Sequence, residues 1–128
     1  MKISIYKLIS ILGLENELSN QKFSIKTAYT FSKIFSRARE ELEFYQTKYR
    51  EIISLYGEKD EDGEFVLSEN GNIISIQKDK IEECKDKLNE LQNLEVDLPD
   101  YKIHLDELDS IKLSTNEISI LLPFIYEN

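Results

Sequence analysis

Glu58, Asp60, Asp62 and Glu69 fall at the spacing of the oxygen ligands at positions 1, 3, 5 and 12 of an EF-hand loop, with Gly63 at position 6. Alternating carboxylates around a glycine turn can wrap a hard cation such as Ca²⁺. Two features work against that reading. Glu58 stands where the shorter Asp fits the tight loop. Asn70-Gly71 follows Glu69 almost at once, where an EF-hand enters its second helix. The competing reading is a solvated acidic connection leading into a hairpin. The expectation is therefore no cofactor and no resident metal.

A second group of residues suits recognition rather than catalysis. From Asn20 to Arg39 there is no carboxylate, while Lys22, Lys26, Lys33, Arg37 and Arg39 carry five positive charges. A chain of net charge −9 thus carries +5 in this stretch and −14 elsewhere. The first four are spaced four, seven and four apart, which puts them on one face of a helix. Such a face can dock an acidic partner or a phosphate backbone. It can equally pair with the chain's own acids or stay solvated. Cations at a helix start cost about 0.3–1 kcal/mol against the macrodipole, so something nearby should offset them.

Catalytic constellations are absent from the sequence. His104 is the only histidine, on the polar side of an alternating stretch, and Cys84 is the only cysteine, on an apolar helical seam. One histidine cannot supply a Ser-His-Asp or Cys-His arrangement with any specificity, and zinc lacks its ligands. With four glycines in the chain, no glycine-rich phosphate loop can be read. Carboxylates are too abundant for any pair of them to mark acid–base chemistry. The reading is of a protein that is not an enzyme.

A length of 128 residues with 41% hydrophobic and 32% charged composition describes one globular domain over 1–128. The negative charge disfavours nonspecific binding to nucleic acid or an anionic membrane and suits a partner with a basic surface. A lone cysteine excludes an internal disulfide and fits a reducing, intracellular compartment or assembly inside a cell. The opening MKISIYKLISILGLENE reads as an amphipathic helix over 4–12 rather than a leader, because Ser4, Lys7 and Ser10 interrupt its apolar run. Gly13 should end that helix, and 16–21 should form a loop.

The strongest periodic signal runs from Ser24, a good N-cap, to Gly57, a good C′ residue. Ala28, Phe31, Phe35, Ala38, Leu42, Tyr45, Tyr49, Ile52 and Tyr56 alternate spacings of three and four, a seam that lets one helix lie along another. Phe44 falls off this seam and is a candidate interface anchor. Phe65-Val66-Leu67 and Ile73 to Ile76 flank Asn70-Gly71, the pattern of a β-hairpin over about 64–76. Ile81, Cys84, Leu88 and Leu91 predict a return helix over 78–93. The fold class is thus mainly α with a small β component. A long antiparallel αα-hairpin over about 24–93 carries the β-hairpin insert, and a short mixed segment over 94–128 holds strands near Pro99 and a capped helix at Ser114.

Four stretches carry a family resemblance. They are the MKIS-Y-KLI opening, Ile25-Lys26-Thr27-Ala28-Tyr29, the turn from Tyr56-Gly57 to Asp62-Gly63, and Leu121-Leu122-Pro123-Phe124-Ile125. Together they resemble a small uncharacterised family encoded by tailed phages and prophages of Gram-positive bacteria. The resemblance implies a phage accessory protein, in the host cytoplasm or alternatively in the virion, and no catalytic residue. The leading expectation is a non-catalytic protein that binds a host or phage protein, for instance to inhibit a defence or regulatory factor. The alternative is a virion structural or assembly component that oligomerises through its long helix.

Overall fold

The computed structural model describes residues 1–67 and 74–128. Its fold is mainly α with a small β component. Two compact units are present: Met1–Glu43 with Leu94–Asn128, and Phe44–Asn93.

In the first unit the chain begins as a strand. β1 (Lys2–Ser4) pairs antiparallel with β2 (Glu95–Asp97) in the register Lys2↔Asp97, Ile3↔Val96, Ser4↔Glu95. Ile3 and Val96 are buried while the charged residues beside them face solvent, as the two-residue period of a strand requires. Ser4 then caps α1 (Ile5–Ser10), its Oγ accepting the Lys7 N–H at 3.3 Å. Gly13 does not stop this segment, contrary to expectation. The chain continues through a 3₁₀ turn (Ile11–Leu14) into α2 (Glu15–Ser19), where a loop was expected. Ile5, Leu8, Ile11, Leu14 and Leu18 keep helical spacing and are all buried, and that anchorage outweighs the cost of about 1 kcal/mol for an internal glycine.

The C-terminal part of this unit is also short elements around buried side chains. Of the alternating stretch around His104 only β3 (Ile103–His104) is a strand, because Leu105 already enters a 3₁₀ turn. β3 pairs in parallel with β4 (Ile125–Tyr126). Between them lies α5 (Thr115–Leu121), started by the expected capping box: Ser114 Oγ accepts the Glu117 N–H, and Glu117 Oε1 accepts the Ser114 N–H. Pro123 ends it in a 3₁₀ turn. Phe124, Ile5, Leu8, Ile11, Leu18, Ile34, Ile103 and Leu121 are the largest of the fully buried side chains.

α3 (Ile25–Tyr56) is one uninterrupted helix, with residues 25–43 in the first unit and 44–56 in the second. Ser24 starts it, its Oγ lying 3.4 Å from the Thr27 N–H. The inward stripe of the first half is Thr27, Phe31, Ile34, Phe35 and Ala38. This corrects the sequence seam: Ala28 is exposed, and Ile34 is fully buried. A seam with strict three–four spacing describes a line of contact with one partner helix. Here several short elements cover α3, so a wider apolar stripe turns inward.

In the second unit, α4 (Ile81–Gln92) follows a 3₁₀ turn at Lys78–Lys80 and packs against the end of α3 as the shorter helix of the hairpin. Among the described residues, Tyr56, Cys84 and Leu91 are its buried apolar side chains. Gly57 does not act as a left-handed C′ residue; among described residues the only positive-φ position is Gly63. Gly57 instead pairs with Ile76, and a Cβ there would lie 2.8 Å from the Phe65 ring and 2.9 Å from Ile74. Antiparallel bridges Lys59↔Phe65 and Leu67↔Ile74 complete this small β element. The Asn70-Gly71 turn lies outside the described residues.

Candidate protein-docking face

The acidic turn folds as a tight reversal between the antiparallel-bridged Lys59 and Phe65, with the Asp60 N–H donating to the Glu64 carbonyl at 2.9 Å. Asp60 Oδ1 accepts the backbone N–H groups of Asp62 at 2.9 Å and Glu64 at 3.0 Å, so this carboxylate closes the turn. Gly63 at φ 82° supplies the reversal that only glycine makes without strain. Glu58 is half-buried and accepts the Ser75 hydroxyl at 3.3 Å. Asp62 is exposed, and Glu69 lies outside the described residues. The chain leaves the turn through β bridges, where an EF-hand would leave through a helix. Among the described residues no group of three or more His, Cys, Asp or Glu side chains is placed to hold a metal.

His104 and Cys84 have structural surroundings. His104 Nδ1 accepts the Asp106 N–H at 3.2 Å, and its ring meets Tyr126 edge-on at 4.9 Å. Cys84 is buried, and burial pushes its thiol up from the ordinary range, away from the thiolate a nucleophile needs.

The cationic stretch separates into two kinds of residue. Arg37 pairs with Glu41 at 3.1 Å, and Arg39 pairs with Glu15 of α2. Lys22, Lys26 and Lys33 are exposed, and among the described residues none has a carboxylate within 4 Å. Lys33 Nζ lies 5.2 Å above the Tyr29 ring, a cation–π contact. The helix start is compensated by Glu107, whose Oε1 accepts the Ser24 hydroxyl at 2.9 Å and places negative charge at the positive end of the dipole. Phe44 is 43% exposed beside Lys48, within the second unit.

At about 100° per residue, Ile25, Lys26, Tyr29, Lys33 and Ser36 share one outward ridge of α3. Ile25 is 90% exposed and Tyr29 61% exposed. Two apolar side chains this bare among unpaired lysines make a surface of mixed character, polar at its edge and apolar at its centre. A cleft flanks the ridge on each side. One is lined by Lys26, Thr30, Tyr101, Lys102 and Tyr126, together with Asp100. Asp100 faces the N-terminal ammonium at 3.5 Å, and Lys102 Nζ reaches the Pro123 carbonyl at 3.5 Å. The other lies between α2 and α3, over Phe23, Phe31 and Phe35, with Glu15, Ser32 and Arg39 among its polar lining.

The sequence found the lysines but not Ile25, Tyr29 or the aromatic cleft. The alternation of buried Phe31 and Phe35 with exposed Ala28 and Ser32 was the available signal. A model of a protein family of unknown function, DUF1617, matches residues 14–117. No curated protein matches, and no solved structure matches.

Proposed function

The chain belongs to this DUF1617 family, and on that premise we propose that it is a non-catalytic accessory protein that acts by docking on another protein through the ridge of α3. The observation that carries this reading is the contrast within one run of cations. Both arginines are held by the chain's own acids, whereas Lys22, Lys26 and Lys33 have no carboxylate partner among the described residues and lie beside exposed Ile25 and Tyr29. In a chain with 25 acidic residues, pairing partners are abundant. A cationic ridge left open suits an acidic surface on a partner, with the apolar pair as its anchor. The phage assignment, with a host or phage protein as partner and inhibition as the outcome, rests on the resemblance of the four sequence stretches.

Capture from host lysate tests the reading. The wild-type chain should retain a stoichiometric partner, and the double variant Lys26→Glu with Lys33→Glu should lose it. Equal capture by both ends the assignment of this ridge. A second reading, a virion component that self-associates along α3, is favoured by the exposure of Phe44, Tyr49 and Leu55. Size-exclusion chromatography with light scattering separates the two, since a monomer at all concentrations removes the second.

A further inference from the structure

We propose that two copies of this chain pair antiparallel along the second half of α3, with Phe44 of each copy against Leu55 of the other and Lys48 against Glu51. The contact lies wholly in the second unit and uses none of the docking-ridge residues. It gives self-association along α3 an orientation and a register.

At about 100° per residue, Phe44, Lys48, Glu51 and Leu55 fall within about 60° of one another around the helix. They are spaced four, three and four apart, the seam with which one helix lies along another. The side of the helix that the second unit covers is a different one. Tyr45 and Ile52 are half-buried and Tyr56 is buried, and they lie about 80–120° around from Phe44. The outward seam stays bare: Phe44 is 43% and Leu55 71% exposed, and Lys48 and Glu51 are exposed between them.

Along this seam the side chains read apolar, positive, negative, apolar, an order that complements itself when reversed. A parallel, in-register pair would set Lys48 against Lys48 and Glu51 against Glu51. An antiparallel pair about a two-fold axis between residues 49 and 50 sets each lysine against a glutamate and each phenylalanine against a leucine. Charge therefore selects the second copy as occupant and the antiparallel arrangement over the parallel one. In the single chain Lys48 Nζ pairs with Glu51 at 3.1 Å and lies 6.0 Å from the Phe44 ring. An exposed pair of this kind contributes little in water. Exchanging it for two pairs between copies, flanked at both ends by apolar contacts, leaves no charge unmatched.

A two-fold contact uses the same patch on both copies, so association stops at the dimer. From Phe44 to Leu55 the helix rises roughly 16 Å, about three turns. A contact that short falls below the size of stable protein interfaces, so the dimer forms at high protein concentration and dissociates on dilution.

The test is sedimentation equilibrium of the full chain up to about 1 mM, where the wild type should show a monomer–dimer equilibrium. Lys48→Glu alone and Glu51→Lys alone should each raise the dissociation constant about tenfold or more. An equimolar mixture of these two variants should dimerise again, because each lysine then meets a glutamate of the other chain. The double variant Lys48→Glu with Glu51→Lys should dimerise as the wild type does. Orientation is read from exposed cysteines: on brief oxidation, Phe44→Cys mixed with Leu55→Cys should give the mixed disulfide in excess of either homodisulfide. All of these are surface changes, and a thermal melt verifies that each variant is folded. A wild type that stays monomeric throughout, single charge variants that dimerise like it, a mixture that stays monomeric, or homodisulfides in excess would each overturn the proposal. Lysate capture with the Lys26 and Lys33 variant reads the docking ridge separately, so either reading can fail without the other.

Discussion

The two halves of α3 read alike in sequence and differ sharply in coverage. Over 25–43 the inward stripe of Phe31, Ile34, Phe35 and Ala38 is 0–4% exposed. Over 44–56 only Tyr56 is buried, Tyr49 is 40% exposed and Leu55 is 71% exposed. Both halves carry apolar residues three and four apart. Periodicity specifies which edge of a helix is apolar. How deeply that edge is covered depends on how many other elements fold over it, and those come from remote parts of the chain. The first half shares its unit with α1, α2, β3 and the C-terminal segment, whereas the second shares its unit with one shorter helix and a small β element.

Matched truncations give the largest expected effect. Ile34→Ala removes a fully buried side chain and should cost about 2–5 kcal/mol, whereas Ile52→Ala, half-buried in the second unit, should cost about 1 kcal/mol. Urea denaturation measures both. Hydrogen exchange should agree, with amides of 44–56 exchanging faster than those of 27–40. Equal costs would mean that burial along α3 does not report local stability.

The second unit is tightly packed at Gly57. At Gly57 an added Cβ would meet the Phe65 ring at 2.8 Å and Ile74 at 2.9 Å. Gly57→Ala should therefore destabilise by about 1–3 kcal/mol through overpacking. The loss should appear as faster protease cleavage within 57–67, with the 27–40 amides still protected. A uniform loss across both units would erase the distinction between them.

Much of this architecture was legible. The long helix, the return helix and the Ser114 capping box follow from spacing and cap chemistry, which are local. The hairpin and acidic turn were also local readings, and the Leu67↔Ile74 bridge agrees with them. What the sequence hid were decisions made by distant contacts. Gly13 looks like a stop until Ile11, Leu14 and Leu18 are seen buried around it. Gly57 looks like a cap until Phe65 is found against it. The candidate face was half legible: charge pattern exposed the lysines, but the pairing of Arg39 with Glu15, and hence which cations stay free, depends on α2 packing on α3. The capping box offers a modest check on this division. Ser114→Ala should cost about 1 kcal/mol, a purely local loss confined to the first unit.

The smallest effect tests the close packing of the first unit from its charged surface. Glu17 of α2 and Glu117 of α5 face each other. Glu117 is held below the ordinary carboxylate range, first by the Ser114 backbone N–H and then by Glu17, while Glu17 is raised by its hydrogen bond to Glu117 and by repulsion between them. The signs oppose. As pH rises through the acid range, the folded chain keeps the Glu17 proton longer than the unfolded chain, so this residue's contribution falls with rising pH. Glu117 loses its proton earlier when folded, so its contribution grows with pH and is lost as pH falls through its lowered value. Glu17→Gln removes the repulsion while its amide keeps donating to Glu117. The melting temperature should rise slightly at pH 7 and match wild type below about pH 4, where Glu17 is protonated in both states. Because both carboxylates are exposed, added salt should shrink the difference. A gain that persists in high salt would instead mean that the two helices press together harder than their exposure indicates, deepening the contrast with the sparsely covered second unit.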